Sequence, residues 1–517
     1  MTITTKLENT PEEQGVSSRI LLSMFDDLES RAFEIHAFLL TRNNKVVAEG
    51  YARPYSADRV HMTHSMTKSV LVCAAVLLIS EGKLELDQKV VSFYPPSIDI
   101  QKQDYYSKLK DMTVGHLMTM RTGHEKEVSG SVWRPIKTSW IDEFYKIKVV
   151  NQPGTTFLYT SASTYMLSAI ITAVLKQQQQ QQQITSTPTT IVSASQFLNE
   201  RLFRPLGIKY EWPDSTTDAD VSPGANGLSC KLQDMAKLAL LFVNKGVWKG
   251  EQLIPADWVE KIQQNHQDDD ETRYGYQWWL GPNGAYYMNG LFGQLNVVFP
   301  SHNATLSIFA GVPPQSNFVN DFIWNYFPKA FSADNNEIPA DPESLLKLRK
   351  RLSTLELVQD SPDPTIKLVH AKKFVDFVVD SEVDDNGNPV KRASAPDIKM
   401  MMFSFEKESI LFTLRDSQGK HTIPIGQRGI FIDSVTRFNR SQLHHEYESL
   451  TPSCVASTSK WIDGRTLLLD LVYVETTFRD RLIIQFTPRH IRVTHSVNTN
   501  SSSFQLPMIK GVLQQSK

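Results

Sequence analysis

The run from Ser69 to Ser80, SVLVCAAVLLIS, is apolar on nearly every face. A helix without a polar stripe has no solvent side, so this one belongs inside a core that other elements surround. Its stretch Val70 to Ile79 is about half the roughly 20 residues that a membrane span needs, which leaves a buried helix in a globular unit. The tetrapeptide Ser65-Met66-Thr67-Lys68 falls at its first turn. Residues three apart share a helix face, so the Lys68 amine is within reach of the Ser65 hydroxyl. Free backbone N–H groups at a helix start also favour negative charge. A serine hydroxyl is a weak nucleophile without an adjacent base, and lysine serves as one only where burial destabilises its ammonium. The apolar helix supplies that burial, and a free amine beside a tyrosine near its reference pKa of about 10 shares the proton.

Ser-x-x-Lys alone selects nothing, since it recurs at Ser80, Ser107, Ser344, Ser404, Ser417 and Ser457. Only Ser65 opens a buried helix and has matching partners downstream. The first is Tyr159-Thr160-Ser161, after the turn Pro153-Gly154 and before the apolar-periodic residues Tyr165, Met166, Ile170, Ile171 and Val174. The second is Gly290-Leu291-Phe292-Gly293-Gln294, between Ala285-Tyr286-Tyr287-Met288 and the strand-like run Leu295 to Phe299. Small residues there let a substrate lie along a strand edge. Tyr105-Tyr106-Ser107 and Tyr447-Glu448-Ser449 also fit the tripeptide, so order and spacing carry the weight.

With these elements in this order, the chain resembles the penicillin-recognising serine hydrolases: class C β-lactamases, serine D-peptidases, related esterases and nylon-oligomer hydrolases. The resemblance spans Gly15 to Phe327 and includes Thr113 to Gly123, Gly227-Leu228-Ser229, Ala236-Lys237-Leu238 and Tyr274 to Trp279. It implies an α+β fold of the β-lactamase/transpeptidase type over residues 15–330, an antiparallel sheet flanked by helices plus a helical lobe, with the site between them. It makes Ser65 the acylated nucleophile, Lys68 its base and Tyr159 the proton shuttle. The oxyanion hole would come from the backbone N–H groups of Ser65 and Gln294. Ser161 stands where the family often has Asn. Leu291, Phe292 and Gly293 stand where it usually has Lys or His, then Thr or Ser, then Gly, so the polar anchor for a substrate carboxylate is missing. An apolar acyl or alcohol group suits Leu291 and Phe292 better. The expectation is therefore a hydrolase of small-molecule esters, in preference to amides or peptides. Two alternatives stay open, an inactive relative that binds ligands or assembles, and a true β-lactamase or D-peptidase.

No cofactor or metal is expected: the chain has no His-Glu-x-x-His, no paired Cys-x-x-Cys, no Walker-type glycine loop and no Gly-x-Ser-x-Gly elbow. A formal net charge of -2 gives no case for nucleic acid or an anionic membrane as partner, and the oligomeric state stays open. Met1 to Ser18 is polar and carries Glu8, Glu12 and Glu13, unlike a secretory or transit peptide. Cys73, Cys230 and Cys454 are too few and scattered for a disulfide framework, so a reducing, cytoplasmic location is expected.

Periodicity predicts a helix near Ser18 to Ala32 and a hairpin from Ile35 to Tyr51 across Asn43-Asn44. It also predicts strands at Gly284 to Gly290, Leu295 to Phe299 and Thr305 to Gly311, and a closing helix at Asp321 to Phe327. The glutamines Gln177 to Gln183 read as a surface loop or a lengthened helix end. Residues 331–343, rich in Pro and Asn, read as a linker. Residues 344–517 show short β-rich segments that predict a sandwich or small barrel, resembling the lipocalin-like domains attached to some members of this family. Trp461, Tyr473, Glu475 and Phe486 either line a cavity or cover the cleft, or are ordinary core and surface positions. Trp133, Trp278 and Trp279 are each a substrate wall or packing.

Overall fold

The computed structural model describes residues 9–128, 133, 136–182, 191–215, 217–267, 273–334, 336–357, 374–383, 398–415, 419–436, 453–499 and 504–514. Helix α1 (Ser18–Ser30) is capped by the Ser17 hydroxyl and buries Leu21, Met24, Phe25 and Leu28 at helical spacing. Strands β1 (Glu34–Arg42) and β2 (Lys45–Tyr51) form the expected hairpin. Asn43 and Asn44 both have positive φ, 52° and 61°, the geometry that two-residue hairpin turns favour. A short β3 (His61–Met62) leads into helix α2 (Met66–Ser80). After the helical lobe, which includes α3 (Ser161–Gln182) and α4 (Leu232–Val243), the chain returns through β4 (Trp279–Leu280), β5 (Tyr286–Gly290), β6 (Gln294–Phe299) and β7 (Ala304–Gly311).

The six strands order as β2-β1-β7-β6-β5-β4 in an open sheet that joins the early and late strands of the unit in its interior: β1 pairs with β7 from Glu34↔Gly311 to Arg42↔Ala304. Successive strand residues point to opposite faces. Leu39, Met288 and Phe309 join a core with α2, α3 and α4, whereas Phe38, Leu40, Val297 and Ile308 join one with α1. In α2 every residue from Met66 to Leu78 is buried, as its unbroken apolar run requires. Gln177 to Gln182 simply extend α3.

The stretch expected as a linker is stitched to this first unit. Phe331 bridges to Val16, and Ser332 donates its N–H to Gly15 O at 2.8 Å. Helix α5 (Pro342–Ser353) follows with Asp341 as N-cap, and it lays Leu348 and Leu352 into the core beneath α1 and β2. Its proline is a helix start rather than a tether.

The C-terminal part contains β8 (Phe374–Val383), β9 (Met400–Phe405), β10 (Ser409–Arg415), β11 (Lys420–Gln427), β12 (Ile432–Thr436), β13 (Ser453–Asp463), β14 (Thr466–Tyr473), β15 (Arg479–Phe486), β16 (His490–Val497) and β17 (Gln505–Leu513). All but β12 close into a ring of nine strands, with β12 paired on the free half of β13. An odd ring of alternating strands must contain one parallel neighbour pair, and here it is β11 against β13 at Gly426↔Thr458. The ring therefore departs from the eight-stranded, all-antiparallel lipocalin form. Its interior is packed with side chains such as Phe403, Phe412, Leu469, Tyr473 and Phe486. Among the described residues no helix is long and apolar enough to cross a membrane.

Candidate active site

Ser65 takes the N-cap position of α2. A capping serine ordinarily turns its hydroxyl back to the N–H of the third helical residue. Ser65 makes no such bond, and the third residue is Lys68, whose Nζ lies 3.0 Å from Ser65 Oγ. The hydroxyl is thus released from capping and held by the amine. Nζ also lies 3.3 Å from Ser161 Oγ, at the start of α3, and 2.9 Å from Ala225 O. Lys68 is 1% exposed, and this burial pushes its pKa from 10.5 down to about 7, with the Glu127 carboxylate pulling the other way.

Tyr159 stands over the pair, its ring centroid 5.1 Å from Lys68 Nζ. Burial drives the phenol up to about 12; the nearby Ser65 hydroxyl opposes this and the Glu127 carboxylate adds to it. It is therefore not near its reference value. Burial thus moves amine and phenol apart, the first down and the second up, rather than matching them. Glu127 is placed by its neighbour: Val128 N–H donates to Thr160 Oγ1 at 3.1 Å, and Ser161 N–H donates to Val128 O at 3.1 Å. Neither Glu127 nor the Ala225 carbonyl was singled out from sequence. The triplet Glu125-Lys126-Glu127 looks like any solvated charge run, and Ala225 lies in an ordinary turn.

The third element is the tight β5–β6 turn. Gly290 ends β5, and a Cβ there would lie 2.3 Å from Thr63 O, so only glycine lets this strand end approach the segment that leads to Ser65. The Gln294 side chain is turned inward, donating to Leu291 O, Phe292 O and Ala310 O at 3.1, 3.2 and 2.8 Å and accepting from Ala310 N–H. Phe292 does not face an open acyl or alcohol pocket, while Leu291 is only half-buried. Phe292 is 3% exposed and belongs to the apolar core of the C-terminal barrel, with Leu291 packed against the same cluster. That core offers the ring far more apolar contact than a water-filled cleft would.

Tyr159 sits in an aromatic cluster, in which Tyr274 is fully buried and Trp279 half-buried. Trp279 and Tyr274 lie 5.4 and 6.1 Å from its ring, and Phe157 lies 5.3 Å from Tyr274. Trp278 is fully buried against Phe242 and Tyr286, and Trp133 packs on Trp140 and Tyr165, so both are packing. In the barrel, Tyr473 is core and donates to Asp480 Oδ2 at 2.9 Å, while Trp461 stacks near Phe405 and Phe486. Glu475 lies at the domain junction, where its carbonyl accepts from Met62 N–H. Among the described residues no cluster of three or more His, Cys, Asp or Glu could hold a metal ion.

A lysine brought near neutrality by a helical lobe, next to a serine freed from capping and set against the edge of an antiparallel sheet, is the arrangement of the hydrolases built on the β-lactamase fold. The sequence agrees: the family described as Beta-lactamase matches residues 26–321, more than half of the chain, and the protein belongs to that family. Among characterised relatives it is similar to the 6-aminohexanoate-dimer hydrolase of Paenarthrobacter ureafaciens, 24% identical over 311 residues, 54% of this chain and 74% of the relative. Solved structures with a similar fold include the octameric penicillin-binding protein homologue from Pyrococcus abyssi, with a TM-score of 0.45, 14% identity, and coverage of 95% of this chain and 99% of that one. A family VIII carboxylesterase gives a TM-score of 0.46 and 14% identity, covering 62% of this chain and 98% of its own.

Proposed function

We propose that this protein is a serine hydrolase that cleaves small-molecule esters, in preference to amides, through an acyl-enzyme on Ser65. The observation that carries the reading is the 3.0 Å contact between Ser65 Oγ and an amine whose burial brings its pKa to about 7. Above that pH the neutral amine takes the Ser65 proton as the hydroxyl attacks the substrate carbonyl. The Ser65 and Gln294 N–H groups receive the developing oxyanion, where preorganised donors act most strongly. Tyr159, neutral because its pKa is raised to about 12, donates to the leaving alcohol and later relays a proton from the attacking water. Ser161 Oγ and the Ala225 carbonyl hold the amine in place through the cycle. The family includes both esterases and amide hydrolases. Ester cleavage is preferred because no cation at Leu291 is present to hold a substrate carboxylate or to lower the Tyr159 pKa.

A fluorophosphonate probe tests this. It should label the wild-type chain at Ser65, and Ser65→Ala should lose both the label and aryl-esterase activity. Absence of labelling in folded wild-type protein would favour a ligand-binding relative without chemistry, and labelling that persists in Ser65→Ala would move the nucleophile elsewhere.

A further inference from the structure

We propose that Phe478, in the C-terminal domain, is a positioning residue for the oxyanion hole of the first domain. The inference rests on the reading of Ser65 as nucleophile. Phe478 lies at the end of the turn between β14 and β15 and is 4% exposed. Its ring centroid is 5.9 Å from Phe292 and 6.2 Å from His64, which are themselves 5.6 Å apart, all edge to face. Such arrangements are favoured between aromatic rings. One ring from the barrel thus bridges two segments that are remote from each other in sequence.

Those segments carry the two oxyanion donors of the proposed mechanism, for His64 directly precedes Ser65 and Phe292 lies two residues before Gln294. Both His64 and Phe292 hold left-handed backbone conformations, with φ of 50° and 66°. Bulky residues rarely adopt that region, and it persists only where surroundings enforce it. The rest of the turn enforces it further. Met62 N–H, two residues before His64, donates to Glu475 O at 2.9 Å. Thr477 Oγ1 donates at 2.7 Å to Ala310 O, the same carbonyl that accepts from the Gln294 side chain at 2.8 Å. The turn is itself stiffened by Phe478 N–H donating to Thr476 Oγ1 at 3.0 Å. The barrel end therefore acts as a clamp that sets the spacing of the Ser65 and Gln294 N–H groups.

The test uses the full chain with Phe478→Ala and the milder Phe478→Leu. For a p-nitrophenyl acetate substrate, Phe478→Ala should lower kcat by about tenfold to a hundredfold, the scale of a misplaced catalytic geometry, with KM within about twofold. The acid limb of the pH profile should stay near its wild-type position because Lys68 is untouched. Amide exchange should quicken at residues 64–66 and 292–294 but not along β1, and Phe478→Leu should fall between. If Phe478→Ala does not fold, Phe478→Leu decides by the same readouts. Unchanged kcat and unchanged local exchange in a folded variant would overturn the proposal, as would exchange that quickens equally across β1 and β2, the sign of a purely cohesive contact. A wild-type chain without esterase activity would defeat the hydrolase reading, and the exchange pattern would still decide whether the clamp exists.

Discussion

Replacing Lys68 by methionine should stabilise the protein at neutral pH and remove a specific pH dependence. Burial moves the Lys68 pKa from 10.5 to about 7, so the unfolded chain holds a proton that the native chain has released across this interval. Stability then rises with pH, by 1.36 kcal/mol per unit for one proton, about 4–5 kcal/mol over the whole interval. Below pH 7 both states carry the charge and the native state bears the full burial cost. The methionine variant escapes it, but leaves the Ala225 carbonyl without its donor, a loss of about 1–3 kcal/mol. The variant should therefore be more stable than wild type by about 2 kcal/mol at pH 6.5. Wild type should gain on it by about 3 kcal/mol between pH 6.5 and 9.5. Urea midpoints for both proteins, followed by tryptophan fluorescence over that range, give the difference directly, and groups common to both cancel. A flat difference, or a wild type that loses ground as pH rises, would mean that Lys68 stays charged in the native state, and its role as base would fall with it.

Removing the Glu127 charge should make the base easier to deprotonate. Because that carboxylate raises the Lys68 pKa, Glu127→Gln should shift the acid limb of kcat/KM to lower pH, and a shift upward would contradict the geometry. Short-chain aryl esters should be hydrolysed with far higher kcat/KM than a chromogenic cephalosporin, since position 291 lacks a cation for the cephalosporin carboxylate; the reverse order would show that another group supplies it. A fragment ending at Asp341 lacks Leu348 and Leu352 of the first domain's core. It should be less stable than one ending at Leu357 by about 3–6 kcal/mol, the burial of two leucines, and equal melting of the two would place α5 outside that core.

The buried helix, the Asn-Asn hairpin and the returning strands were legible because each is set by a local pattern: an unbroken apolar run, a turn that needs positive φ, an alternation of period two. Helix α5 was not, although Asp341-Pro342-Glu343-Ser344 has the form of a helix start and Leu345, Leu348 and Leu352 follow at helical spacing. Proline opens helices as readily as it ends them, and composition weighted the second meaning. In β13 the buried Ser457, Thr458 and Ser459 hide a core strand behind hydroxyls.

Phe292 marks the boundary of what one sequence can show about this site. An apolar residue in a turn beside a reactive serine has two physical outlets, a ligand or another part of the same chain, and both lower its free energy by the same removal of surface from water. Only the fold distinguishes them, because the ring that receives Phe292 belongs to Phe478, in another domain. The 3% exposure of Phe292 decides for the second outlet. Where the resemblance leads one to expect a polar anchor, this chain has an attachment between the barrel and the β5–β6 turn. Beside Tyr159 the half-buried aromatic neighbour is Trp279, 5.4 Å from its ring, whereas Tyr274 is as fully buried as Phe292.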